Sequence, residues 1–246
     1  MHPLIVIPAR FGSTRIPGKP LSKINGKPLI TIVATRVAEF GLSSEVVVAT
    51  DDPRIADAVT EAGFRTIKTP TGHKSGTERA AEVVARQEFS NFDRVLNIQG
   101  DQLSLPKQAV VGALGQLERG FALGTVGATL LPHQETNRNR VKVAVDGKGT
   151  ARAFSREMPV KTDDFGTLGV FLHLGVYAYT REALLEWVSL PPTQAEFDEG
   201  LEQLRPFLNG TPIGVAVLDE VVEPGIDTPD DLANAQQSSA PTQTNA

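Results

Sequence analysis

From Ile7 to Pro20 the chain reads Ile-Pro-Ala-Arg-Phe-Gly-Ser-Thr-Arg-Ile-Pro-Gly-Lys-Pro. The cations Arg10, Arg15 and Lys19 stand among the glycines Gly12 and Gly18 and the hydroxyls of Ser13 and Thr14. Glycine permits tight turns and close approach of backbone to ligand. Exposed N–H groups in such a loop form a concavity for anions, and these cations can neutralise a triphosphate. The same segment could be a solvated basic surface loop. Its place directly after the apolar run Leu4–Pro8 favours phosphate, because open α/β sheets bind ligands beyond the carboxyl ends of their strands. The spacing matches neither G-x-x-x-x-G-K-[ST] nor G-x-G-x-x-G, so P-loop ATPase and dinucleotide oxidoreductase chemistry both lose support.

Asp101 ends the run Gln99-Gly100-Asp101 just past an apolar segment, which turns its carboxylate toward the ligand edge of a sheet. Carboxylates with phosphate oxygens and water are the ligands Mg²⁺ prefers, and one or two from the protein suffice. Asp227 precedes Thr228-Pro229-Asp230-Asp231. That pattern is equally compatible with turn and helix-cap chemistry. His173 stands alone on an apolar strand, where a histidine is more often a packing residue than a ligand. Glu202 and Gln203 fall on an expected helix, where neighbouring polar residues usually form a solvated face. His2, His73 and His133 show no partner pattern.

The elements needed to position these residues follow from apolar spacing. Leu4–Pro8, Glu45–Thr50 and Arg94–Ile98 read as buried strands. Between them Leu29–Phe40, Ile55–Ala62 and Thr77–Arg86 have helical spacing, with Pro53 suited to a first turn and Gly63 to a stop. This alternation predicts an α/β fold with a Rossmann-like, mostly parallel sheet flanked by helices. The second half changes character. Ala122–Leu130, Val141–Asp146, Leu172–Tyr179 and Ile213–Val217 read as strands, Arg181–Val188 and Glu196–Leu208 as helices. The expectation is a smaller mixed-sheet region over about residues 122–215, within a single domain spanning 1–235. Residues 236–246 are rich in Ser, Thr, Gln, Pro and Asn and are expected to form a disordered tail.

Composition narrows the function classes. The 246 residues are 40% hydrophobic and carry a net charge of −5, which suits one sizeable core and argues against a nucleic-acid surface. There are no cysteines, so thiolate nucleophiles, disulfides and cysteine zinc sites are excluded. The first apolar run is too short for a membrane span and has no basic leader. A cytoplasmic protein is the expectation.

The opening loop also has a specific likeness. Pro8-Ala9-Arg10, Ser13-Thr14-Arg15, Pro17-Gly18-Lys19-Pro20 and Asn25-Gly26-Lys27-Pro28 resemble the start of the 3-deoxy-manno-octulosonate cytidylyltransferase (CMP-Kdo synthetase) family. The resemblance continues in order through 48–52, 75–79, 97–101, 173–177 and 201–205, and ends in Gly225-Ile226-Asp227-Thr228-Pro229-Asp230-Asp231-Leu232. It implies a homodimer that transfers CMP from CTP to an anionic acceptor with Mg²⁺, the 122–215 region serving acceptor binding and dimerisation. Ala9, Arg10, Gly12, Ser13 and Lys19 would hold the triphosphate. Thr50, Asp51, Ser75, Gly76, Thr77 and Gln99 would build the nucleoside pocket. Asp101 and Asp227 would hold the metal, with Lys19 and Arg15 stabilising charge at the α-phosphate and leaving group. Arg156, His173, Glu202 and Gln203 would face the acceptor. In this chemistry an acceptor oxygen attacks the α-phosphorus in line and pyrophosphate leaves; no histidine base is required, and a second ion could sit on the β- and γ-phosphates.

Two departures from the family pattern fall beside the acceptor. After Asp101 the family continues with an acidic or amide residue and then proline, whereas this chain has Gln102-Leu103. The Phe154–Lys161 stretch is shorter and lacks an arginine, with Lys161 the nearest replacement. Lysine does not supply arginine's bidentate fork to a carboxylate. Kdo is the first acceptor to consider, with another sugar acid or a phosphonate as alternatives; a non-catalytic nucleotide-binding protein has no reason to keep Lys19, Asp101 and Asp227 together.

Overall fold

Leu4-Ile5-Val6-Ile7-Pro8-Ala9 forms strand β1, and all six residues are buried. The structure, a computed structural model, describes residues 2–12, 15–43, 45–164 and 166–238. In chain order β1 (Leu4–Ala9) is followed by the hairpin β2 (Lys23–Ile24) and β3 (Lys27–Pro28), then α1 (Leu29–Glu39), β4 (Val46–Thr50), α2 (Pro53–Glu61), β5 (Arg65–Lys68), α3 (Gly76–Ala85) and β6 (Arg94–Ile98). Next come α4 (Lys107–Glu118), β7 (Leu123–Ala128), α5 (Pro132–Glu135), β8 (Lys142–Val145) and β9 (Ala151–Ser155). The last third holds β10 (Thr162–Asp163), β11 (Gly166–Thr167), β12 (Gly169–Thr180), α6 (Arg181–Ser189), α7 (Gln194–Glu199), α8 (Leu204–Leu208), β13 (Ile213–Leu218) and α9 (Pro229–Ser238).

The main sheet runs β13-β7-β12-β6-β1-β4-β5. Strands β6, β1, β4 and β5 are parallel, and β13 is parallel to β7. Only β12 is reversed on this path, lying antiparallel to both β6 and β7. Both faces are covered, as a parallel sheet requires. Ile5 and Ile7 pack with α1 on one face, while Leu4 and Val6 pack with the apolar side of α3 on the other, the strand period of two made visible.

Strand β12 organises the site. Its C-terminal half, Val176–Thr180, pairs with β6, and its N-terminal end, Gly169–Leu172, pairs with β8. The register against β7 shifts between Leu174 and Tyr177. Bulges of this kind re-aim side chains beside functional sites. Pairing of β6 with β12 ends at Ile98, so Gln99 to Gln102 leave the sheet just where β12 changes partner.

The mixed-sheet region expected over 122–215 is continuous with the parallel core: β7, β12 and β13 lie in the main sheet, and β8 and β9 branch from β12. Other expectations need correction. The expected helix Glu196–Leu208 is two short helices, α7 and α8, broken where Gly200 takes a left-handed φ of 61°. The last helix continues to Ser238, so 236–238 are helical; the rest of the expected tail lies outside the described residues. Helix α4 had no clear signature because Gly112 and Gly115 dilute its propensity. Gly112 is there for packing, since a Cβ on it would come within 2.8 Å of Ala216 Cβ on β13. Among the described residues no helix is long and apolar enough to cross a membrane.

Candidate active site

The ends of β1 and β6, the N-terminus of α3, the β12 bulge, the α7–α8 turn and the segment before α9 surround one cleft of about 560 Å³. That size suits a small-molecule site. Ala9, Arg10, Arg15, Lys19, Ser75, Gly76, Gln99, Asp101, His173, Glu202, Gln203 and Asp227 all line it. The sequence signals of the opening loop, the strand ends and the last helix thus converge on one place.

Lys19 and Asp101 form the centre. Lys19 Nζ donates to Asp101 Oδ2 at 2.6 Å and to the Ile226 carbonyl at 2.8 Å. The Asp101 carbonyl in turn accepts from Ile226 N at 3.1 Å. The loop after β1, the end of β6 and the segment before α9 are therefore fastened together at one ammonium group. Gly18 takes φ 67° so that its N–H can bond back to the Phe11 carbonyl at 3.1 Å and present Lys19.

The capping interpretation of Asp227 is settled by its neighbours. Thr228 Oγ1 accepts from Asp231 N at 3.1 Å, and Asp231 Oδ2 accepts from Thr228 N at 2.9 Å. This reciprocal pair is a capping box for α9. Asp227's own carboxylate is not part of it. That carboxylate faces the cleft and pairs with Arg15 at 3.0 Å. Burial, and next the negative charge of Asp101, push the Asp227 carboxyl above its ordinary pKa, against the pull of Lys19, Arg15 and Arg140. Asp101 and Asp227 are thus two anionic groups close enough to repel across the cleft.

On the opposite wall, Ser75 caps α3 by accepting from Glu78 N at 3.1 Å. Glu202 Oε2 accepts from the Thr77 N–H at 3.2 Å, setting a carboxylate against the positive end of the helix. Burial nevertheless raises the Glu202 pKa. Glu202 and Gln203 lie in the turn between α7 and α8, not on a helix as expected. Arg205 holds that turn through a bidentate pair with Glu196 at 2.8 and 2.7 Å.

His173 is a neutral group. Burial pushes its imidazole down to about 3. The Thr125 hydroxyl donates its single proton to the Val176 carbonyl at 2.7 Å, so at 2.9 Å it accepts from His173 Nε2–H. That tautomer leaves Nδ1 as a bare acceptor. His173 can therefore receive a hydrogen bond from a hydroxyl but cannot neutralise an anion. We expect the pH profile of kcat to show no histidine limb between about pH 5 and 8 that His173→Gln removes; loss of such a limb in that variant would refute the neutral assignment.

The remaining described candidates do not line the cleft. Thr50 is buried and accepts from Asp52 N at 3.2 Å. Thr77 is wholly buried and meets the site by bonding to Glu202, its N–H donating to Glu202 Oε2. Asp51 binds Arg79 at 3.0 Å, and Arg79, which does line the cleft, is a cation to which the sequence analysis gave no role. Gly12 is exposed, and Ser13 lies outside the described residues. Arg156 stands beside the cleft, near enough to feel the charges of Arg15 and Asp227, and its guanidinium donates to the carbonyls of Glu199 at 2.6 Å, Arg138 at 3.0 Å and Gly200 at 3.5 Å. Lys161 is exposed and does not line the cleft. The cations Lys74 and Arg140 were also missed. Arg140 is bound to Asp231 at 2.5 Å, and only its place on a loop before β8 brings it to the site.

Comparisons with known proteins agree with this geometry. A family model described as cytidylyltransferase matches residues 4–213. The chain is 42% identical over 241 residues to the 3-deoxy-manno-octulosonate cytidylyltransferase of Gemmatimonas aurantiaca, covering 96% of this chain and 93% of that one. It is also 42% identical over 245 residues to the protein of the same name from Pectobacterium carotovorum, covering 94% and 96%. A solved structure of CMP:2-keto-3-deoxy-manno-octonic acid synthetase complexed with CTP superposes with a TM-score of 0.85 at 34% identity, covering 97% of this chain and 98% of the other.

Proposed function

Because the chain belongs to the cytidylyltransferase family, we propose that it transfers CMP from CTP to the hydroxyl of 3-deoxy-manno-octulosonate, releasing pyrophosphate. The observation that carries this reading is the convergence of Lys19, Asp101 and Asp227 on one cleft edge, joined through the Ile226 carbonyl. The acceptor oxygen attacks the α-phosphorus in line and the bond to the bridging oxygen of pyrophosphate breaks. The protein's share is positioning and charge. Arg10, Arg15 and Lys19 meet the triphosphate at the end of β1. Ser75, Gly76 and Gln99 lie where a cytosine can be read by small polar groups and backbone; a Cβ on Gly76 would come within 3.0 Å of Gln99 Nε2 and 3.1 Å of its Oε1, so the two fit closely.

Asp101 and Asp227 fit Mg²⁺. They are hard oxygen donors whose mutual repulsion a cation relieves. Among the described residues no larger cluster of acidic groups, histidine or cysteine forms a metal site, and two protein ligands with substrate phosphates are the usual provision for this ion. When bound, it would neutralise phosphate charge and acidify the acceptor hydroxyl. Asp101 and Asp227 would hold such an ion, with Lys19 and Arg15 beside them as further positive charge for the phosphates.

The neutral His173 favours a polyhydroxylated acceptor over a phosphonate, because Nδ1 offers an acceptor for a hydroxyl and no charge for an anion. Residues 1–235 act as one nucleotidyltransferase unit, a reading supported by the continuous sheet. The family likeness supports cytoplasmic action as a homodimer, and Val160, 69% exposed beside the β10–β11 pair, is apolar surface that a second copy would cover. Sedimentation of the purified protein tests the dimer.

The assay is pyrophosphate release with Mg²⁺, comparing CTP with ATP and GTP and Kdo with short phosphonates. CTP and Kdo should each exceed their competitors in kcat/KM by at least about tenfold. Equal rates with purine triphosphates would overturn the nucleotide assignment, and faster phosphonate turnover the acceptor assignment.

A further inference from the structure

Gln102 is only 8% exposed and lines the cleft directly after Asp101. Its Oε1 is buried without a hydrogen-bond partner. Exchanging the two ends of the amide does not help, because neither end bonds to another described residue. A buried orphan of this kind costs stability, and where it persists it calls for an explanation. The other such atom, Asn97 Oδ1, belongs to a residue that does not line the cleft.

The surroundings of Gln102 have made room for it. A Cβ on Gly225 would come within 2.6 Å of Gln102 Nε2 and 3.1 Å of Asp101 Oδ1. A Cβ on Gly175 would come within 3.0 Å of the same Nε2. Neither glycine has a positive φ, so space rather than backbone conformation requires them. Gly175 is in the β12 bulge, two residues from His173, and Gly225 is two residues from Asp227. The amide is therefore held between the strand that carries His173 and the segment that carries Asp227.

We propose that Gln102 is a specificity-determining residue that hydrogen-bonds a hydroxyl group of the acceptor beside the attacking oxygen. An uncharged amide adds no third negative charge to Asp101 and Asp227, and it both donates and accepts, as a sugar hydroxyl does. With His173 Nδ1 it reads a polyhydroxylated acid by its hydroxyls. A short acid without them would leave the amide unpaired and be rejected on that ground. This inference rests on the acceptor class proposed above.

The test is Gln102→Leu and Gln102→Met, each measured for thermal stability and for kinetics with CTP and Kdo. An apolar side chain of similar size removes the orphan atom, so the melting temperature should hold or rise. The kcat/KM for Kdo should fall roughly tenfold to a hundredfold, with the KM for CTP within about twofold of the parent. Kdo turnover in both Gln102 variants within about twofold of the parent would overturn the inference while leaving the functional reading intact. A lowered melting temperature with equal loss for both substrates would overturn it in favour of a structural role. A parent enzyme that turns over CTP but not Kdo would overturn the functional reading first, and this inference with it.

Discussion

Replacing Asp101 or Asp227 with asparagine is expected to lower kcat by roughly a hundredfold or more, while Asp227→Asn makes the protein without ligands more stable at neutral pH. The two effects have one origin. Burial and the Asp101 charge raise the Asp227 pKa in the folded state, so folding disfavours the charged form. A carboxyl shifted in this direction contributes stability that is fully present below its unfolded pKa and lost as pH rises through its raised folded value. At pH 7 the wild type bears the whole cost, and asparagine removes it. Arg15 loses its partner but is half exposed, which makes that loss small. The melting-temperature gap between Asp227→Asn and the parent should therefore shrink as pH is lowered toward the ordinary carboxylate range. Both variants should still bind CTP measurably. Near-normal turnover in Asp227→Asn would sink the metal assignment. A drop in melting temperature at pH 7 would show that the carboxylate is a structural member of its ion pair with Arg15.

The parallel half of the fold was legible because each buried strand ends in a loop signal. Leu4–Ala9, Val46–Thr50 and Arg94–Ile98 are apolar runs closed by polar turns, and Asn25-Gly26 is the turn of a short hairpin, Asn25 itself taking φ 50°. Helix α4 was illegible because packing against β13 demands a glycine that propensity counts against. Within the site, the ligand-facing loop could be read from its residue types, whereas partner choice could not. Nothing local says that Asp231, rather than Asp227, caps α9, or that Thr125 fixes the tautomer of His173 from a strand 48 residues away. The partners of Arg156 were likewise not legible: its three carbonyl acceptors are set by the α7–α8 turn and the loop before β8. The charge state of His173 is also a property of the packed strand, whose burial of the imidazole lowers its pKa.

Lys19→Met should reduce kcat by roughly a hundredfold to a thousandfold, the range for removing one strong electrostatic stabiliser of a transition state. Lys19 joins three elements: its own loop after β1, the Asp101 carboxylate beyond β6 and the Ile226 carbonyl before α9. Its side chain is 16% exposed and that of Asp101 21%, so the pair is screened less than a surface ion pair. Methionine keeps the stem and removes the charge. Losing the tether should lower the melting temperature by several degrees, since about 1 kcal/mol corresponds to roughly 2–4 °C in a domain of this size. Catalytic loss should far exceed what that destabilisation explains at 25 °C, because the variant remains folded there. Lys19→Arg separates the roles. Its charge is retained, but a planar fork cannot place one donor on a carboxylate and another on the Ile226 carbonyl as a rotating ammonium does. It should recover part of the CTP affinity and little of kcat. If Lys19→Met retains more than about a tenth of kcat with the expected loss of stability, Lys19 is a tether that positions Asp101, and charge stabilisation at the phosphate must come from Arg10 and Arg15.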